Sequence, residues 1–141
     1  MKTLGLLLGL VAVAVVAADA WVRLAPIDPQ RYEIEGLAKA PGDYPLTGGF
    51  QAARELGDPG AQMAALDKII RATARTRRVA GSVAEGRAAY VTRSAFWGFP
   101  DVTLLWVDGK TLQIRGHLVF GRSDLGVNKA RIEGWLSEAG L

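Results

Sequence analysis

The chain has no cysteine and only one histidine among its 141 residues. Without thiols there can be no disulfide, no thiolate zinc site, no cysteine nucleophile and no lipid-bearing N-terminal cysteine. One imidazole, His117, excludes a multi-histidine metal centre, and any histidine-based triad would have to use it. On a strand of mixed polarity such a residue reads as structural. The HExxH, P-loop, GxSxG and GxGxxG patterns are also missing, which removes the common hydrolytic and nucleotide signatures. Ser94 and Ser123 lack a nucleophile elbow. Asp101 and Asp124 are conceivable as an acid–base pair, yet both stand at turns, where aspartate ordinarily caps the backbone. We expect a non-catalytic protein, with an enzyme of unrecognised type as the least favoured alternative, and no cofactor and no metal.

Long charge runs are scarce too. The net charge is +3, and no basic run exceeds Arg77-Arg78. Residues 20–74 carry six basic and seven acidic side chains, whereas residues 75–131 carry ten and four, so the second half is the basic one. Aromatic residues do not interleave with these cations as a base-stacking platform requires, so no nucleic-acid partner is expected. Half the residues are hydrophobic and 22% are charged, a balance that predicts a globular body.

What the N-terminus does have is a long apolar run. Lys2 precedes the uncharged stretch 3–18, which reads as a targeting or anchoring segment. A helix over residues 4–22 would be about 28 Å long at ~1.5 Å per residue, enough for a hydrocarbon core. Trp21 and Arg23 suit the outer end of such an anchor. Ala18-Asp19-Ala20 also offers small residues for signal cleavage before Trp21. Both readings put the body outside the cytoplasm, with Lys2 inside. The expected address is the inner membrane, single-pass, with a periplasmic C-terminal domain; the alternative is a cleaved signal and a soluble periplasmic protein.

Three regions follow: an anchor or signal over 1–22, a Pro/Gly-rich lead-off over 23–58, and an α+β domain over 59–141. The lead-off is expected to hold one short strand at 32–34 and to drape its apolar residues over the domain. Asp58-Pro59 starts a helix, and Leu66, Ile69, Ile70 and Thr73 give it one apolar face over 59–74. Strand-like runs come next at 77–84, 88–95, 102–107 and 111–120. Glu85-Gly86 and Asp108-Gly109 connect them as an antiparallel meander. A two-residue Asp108-Gly109 loop would set Leu105 opposite Leu112 and Thr103 opposite Ile114. Ile132, Trp135, Leu136 and Ala139 mark a last helix over 125–139. The fold class is therefore α+β, a largely antiparallel sheet of four or five strands with two helices on one face.

The corner before that last helix, Gly121-Arg122-Ser123-Asp124-Leu125-Gly126-Val127-Asn128-Lys129-Ala130-Arg131, concentrates cations where free backbone N–H groups favour an anion. Together with Thr92-Arg93-Ser94, Phe96-Trp97-Gly98-Phe99-Pro100-Asp101 and Ile114-Arg115, it resembles the signature of the domain-of-unknown-function 1499 family of bacterial proteins. The resemblance covers residues 21–141 and implies a fold and an envelope address, with an uncleaved anchor; the family brings no established activity. One departure follows Arg115, where a serine and basic residues would be expected and the chain reads Gly116, His117, Leu118 and Val119.

Two site hypotheses result. In the first, Arg93, Arg115, Arg122, Asn128 and Arg131 form an anion site, for an envelope lipid head or carboxylate, since guanidinium forks suit such groups. Asp101 and Asp124 are then structural partners, and an Arg–Asp network locking the corner would explain the same residues without a ligand. In the second, Phe96, Trp97 and Phe99 form an interaction loop that meets the lipid interface or a protein partner.

Overall fold

The computed structural model describes residues 2–141. Its N-terminal helix, α1 (Lys2–Leu24), is unbroken, as a run of leucine, alanine and glycine spaced by valine permits when nothing polar competes. From Leu4 to Val16 its large apolar side chains are all exposed, and the helix is long and apolar enough to cross a membrane.

The body is a six-stranded antiparallel sheet: β1 (Gly42–Leu46), β2 (Gly49–Glu55), β3 (Thr76–Ser82), β4 (Arg87–Arg93), β5 (Pro100–Asp108) and β6 (Thr111–Leu118), in the spatial order β1-β2-β6-β5-β4-β3. The helix α2 (Pro59–Ala72) carries the chain from β2 to the far edge, and the meander β3 to β6 then returns until β6 pairs with β2. Asp58 caps α2 by accepting from the Ala61 N–H at 3.0 Å, as its sequence predicts. The last helix is α3 (Val127–Glu138).

Strand count differs from the expectation. No strand forms at 32–34, where a 3-10 turn, Pro29–Tyr32, stands instead, and the lead-off supplies the hairpin β1–β2. Pro45 is tolerated because β1 is an edge strand and needs no donor on its free side. The β5–β6 register also differs. Asp108 pairs with Thr111 across a Gly109-Lys110 loop, so Leu105 faces Ile114 and Thr103 faces Gly116. A slip of two residues leaves every side chain on the same face of the sheet, because strand sides alternate with period two.

Both faces are covered. Phe50, Tyr90, Leu105, Leu112 and Ile114 pack against Met63, Leu66 and Ile70 of α2 and Ile132, Trp135 and Leu136 of α3. Trp135 ties the two helices by donating from Nε1 to Thr73 Oγ1 at 2.7 Å. On the other face Val91, Val102, Leu104 and Trp106 are covered by Ile27, Tyr32, Ile34 and Leu37 of the lead-off. Two buried glutamines fasten that layer: Gln51 Nε2 donates to the Leu37 carbonyl (2.7 Å) and Gln113 Nε2 to the Lys39 carbonyl (2.6 Å). Burying those amides without partners would cost a few kcal/mol each, so the lead-off backbone is what makes them tolerable.

Candidate functional site

The corner before α3 is built from turns. Ser123 Oγ accepts from the Leu125 N–H (3.3 Å), while Asp124 accepts from Gly126 N (3.2 Å) and from Asn128 N (2.9 Å). Leu125 and Gly126 are left-handed, at φ 52° and 80°, so the helix begins two residues later than its apolar spacing suggests. The Asp124 carboxylate is itself the anion at the α3 N-terminus, taking the Gly126 and Asn128 N–H groups. Burial tends to raise the Asp124 pKa, but the bonds from Asn128 and Gly126 outweigh it and hold it below the usual carboxylate range.

Arg131 donates from Nη1 to Asp101 Oδ2 at 3.1 Å and to Asn128 Oδ1 at 3.3 Å. The ion pair is largely withdrawn from solvent, at 16% and 18% side-chain exposure. Burial pushes the Asp101 pKa up, with Arg131 pulling against it. Asn128 is wholly buried and fits above Gly116, where a Cβ would stand 2.6 Å from its Oδ1. That contact with Asn128 leaves no room for a side chain at 116. Its Nδ2, turned toward the two carboxylates, completes no hydrogen bond of good geometry.

The five residues expected in one anion site are thus divided. Asn128 and Arg131 join Asp101 and Asp124 in the corner network. Arg115 lies on the opposite face of the sheet, donating to Gln51 Oε1 at 3.1 Å, and burial lowers its pKa. His117 shares that face; burial first, then Arg115 and Arg31, bring its pKa down to about 4, so it is neutral at ordinary pH. Arg122 is exposed and has no side-chain partner among the described residues. Arg93 stands across from the corner network at the end of α1, on a cleft that Arg131, Asp101 and Asp124 also line.

There Arg93 donates from Nη1 to the carbonyls of Gly98 (2.9 Å) and Val22 (3.2 Å). Arg23, paired with Asp19, donates from Nη2 to the Phe96 carbonyl at 2.9 Å. Gly98, at φ 68°, gives way to the Arg23 side chain, which a Cβ would meet at 2.9 Å. Ser94 closes the loop: its N–H donates to the Phe99 carbonyl, and its Oγ accepts from the Phe99 N–H. Rings continue this contact, since Trp21 meets Phe120 and Phe120 meets Phe99 at centroid distances of 6.0 and 6.1 Å. Phe96 and Trp97 stack edge to face at 4.9 Å and remain 76% and 49% exposed. The aromatic loop is therefore docked on the last turn of α1, a link no single-strand pattern could disclose.

Between loop and corner lies a cleft of about 800 Å³. Phe99, Phe120, Leu118, Leu125 and Val127 give it apolar walls; Arg75, Arg93, Arg131, Asp101, Asp124, Ser94 and Ser123 give it polar ones. Phe99 also lines a smaller groove against Val15, Ala18 and Val22, so the apolar lining runs on from the cleft to α1. Leu125 at the rim is 92% exposed although its backbone is left-handed, a conformation that costs a leucine about 1–2 kcal/mol.

A comparison with curated proteins finds no match. Among solved structures, a DUF4468 family protein from Bacteroides ovatus is similar at 15% identity and a TM-score of 0.29, over 65% of this chain and 63% of that one. The family model described as "Protein of unknown function (DUF1499)" matches residues 25–138, which takes in the lead-off, the sheet, the aromatic loop and the corner before α3, and the chain accordingly belongs to that family.

Proposed function

We propose that the chain is a single-pass inner-membrane protein whose extracytoplasmic domain is a non-catalytic module that binds an anionic amphiphile at the outer surface of the bilayer. The observation that carries this reading is the continuity from cleft to helix through Phe99 and Phe120. With α1 across the membrane, Trp21, Phe96 and Trp97 stand at the depth where aromatic side chains favour the interface, so the aromatic loop serves lipid contact instead of a protein partner. The cleft then opens beside the headgroups, with apolar walls for a hydrocarbon portion and guanidinium groups for an acidic head. Asp124 fills the α3 N-terminus, so the anion-binding role passes from that helix end to Arg75 and Arg93.

The non-catalytic reading is supported by how the titratable groups are used. Arg131 neutralises Asp101, two backbone donors occupy Asp124, and His117 is across the sheet from both. The test is a titration of the full chain in non-ionic micelles with a fluorescent long-chain carboxylate. Saturable binding that is lost in Phe120→Asp supports the reading; partition that never saturates and ignores the substitution refutes it. The address is checked by a reporter active only outside the cytoplasm, fused after Leu141, and by an intact mass that retains residues 2–20. A mature protein beginning at Trp21 would remove the anchor and keep the compartment.

A further inference from the structure

Beside the cleft, on the side toward β3, is a second pocket of about 360 Å³ in which Arg23, Arg75, Arg77 and Arg93 converge. Only Arg23 has a carboxylate partner, Asp19; the other three form no ion pair among the described residues. Arg75 spends Nε on the Arg93 carbonyl, and Arg93 spends Nη1 on the carbonyls of Val22 and Gly98, which leaves donors of both unused. Arg77 is exposed and makes no side-chain hydrogen bond in the described structure. Four guanidinium groups against one carboxylate repel one another, and that repulsion is relieved by an oxyanion that accepts several N–H bonds at once. Arg77 and Arg23 both help burial to lower the Arg93 pKa, which agrees with crowding of like charge.

The depth of the pocket selects the anion. Arg23 belongs to the last turn of α1 and Arg93 is bonded to the Val22 carbonyl, so the cluster sits where the helix would leave the hydrocarbon and the phosphate layer begins. We infer that this arginine pocket is a headgroup site for the phosphate of an anionic phospholipid in the leaflet from which the domain emerges. It would fix the rotation of the domain about α1 and turn the cleft mouth toward the lipid surface. The inference rests on the anchor reading of α1 and does not require the cleft to bind anything.

The experiment uses the full chain reconstituted into nanodiscs of phosphatidylcholine with a minor share of phosphatidylglycerol, followed by native mass spectrometry of the released protein. One phosphatidylglycerol should be retained in preference to phosphatidylcholine. Arg77→Gln should reduce that preference about fivefold and the Arg75→Gln, Arg77→Gln pair tenfold or more, whereas Arg77→Lys should keep most of it. An Arg122→Gln control, exposed and outside the pocket, should change nothing. Equal retention in wild type and both Gln variants, with the chain properly inserted, would overturn the site and leave the anchor standing. Failure of the chain to insert at all would overturn anchor and site together. Inorganic phosphate is the discriminating arm: if it alone binds the micellar protein and phosphatidylglycerol is held no better than phosphatidylcholine, the occupant is a soluble phosphate and the lipid assignment is wrong.

Discussion

Arg93 donates to the Val22 carbonyl at 3.2 Å, joining the end of β4 to the last turn of the N-terminal helix across 71 positions of sequence. An arginine on the unsatisfied carbonyls of a helix C-terminus is favourable both as a hydrogen bond and against the helix dipole. Here it also decides where the domain sits relative to α1.

The corner network and the exposed cation beside it should respond differently to the same substitution. Arg131→Gln strands Asp101 in a site 18% exposed and should cost on the order of 3 kcal/mol. Arg122→Gln should stay within about 0.5 kcal/mol. Denaturant unfolding followed through the buried Trp135 measures both, and similar small losses would mean that Asp101 is solvated after all.

Gly116 makes room for Asn128. Gly116→Ala should destabilise by about 1–3 kcal/mol, the usual cost of overpacking a tight contact, because the atom it meets belongs to a buried amide with nowhere to retreat. Recovery of stability in the double variant Gly116→Ala, Asn128→Ala would tie the cost to that contact; additive losses would point elsewhere.

His117 makes a pH-dependent contribution. Its pKa is near 4 in the folded protein against the ordinary 6.5, so in that interval the unfolded chain binds the proton more readily. Stability from this group is complete above pH 6.5 and is lost as pH falls toward 4, by on the order of 3 kcal/mol. Asp101, with its raised pKa, acts in the opposite sense, so the comparison is with His117→Gln, which should flatten the difference between pH 7 and pH 4.5. An identical pH profile in the variant would show that the imidazole is not what titrates.

How much of this was legible beforehand follows from which forces act locally. The α2 cap, the meander of strands and the apolar spacing of α3 are set within a few residues and show in the sequence, whereas the strand ends and the β5–β6 register do not. The β1–β2 hairpin was hidden because Phe50, Gln51, Ala52 and Ala53 are buried on both sides, by α3 and by the lead-off, so β2 shows no alternation. Its Pro and Gly punctuation belongs to an edge strand and a tight turn. Arg115 and Arg131 could have been separated from the outset, since period-two alternation puts Arg115 on the lead-off face. The docking of Phe96–Phe99 on α1 could not, because it joins segments far apart in the chain.

Leu125 tests whether the strained rim serves the interface. Leu125→Asn puts in a polar residue that tolerates left-handed backbone and should raise stability by about 0.5–1 kcal/mol. Binding of the fluorescent carboxylate should weaken at the same time, because a wall of the cleft loses its apolar edge. Improved stability with undiminished binding would leave the exposed leucine without a role.

Whether the domain rests on the bilayer is read from the depth of Trp97. The full chain is reconstituted into vesicles containing phospholipids brominated along the acyl chain, and quenching is compared between wild type and Trp97→Phe, with Trp106 and Trp135 buried in the domain as internal references. A loop seated in the bilayer surface gives a quenched component from bromine positions nearest the headgroup, diminished in Trp97→Phe and insensitive to aqueous iodide. A Trp97 signal quenched by iodide and untouched by bromolipid would contradict it, because the aromatic loop would then stand in water and the end of α1 would not hold the domain against the membrane.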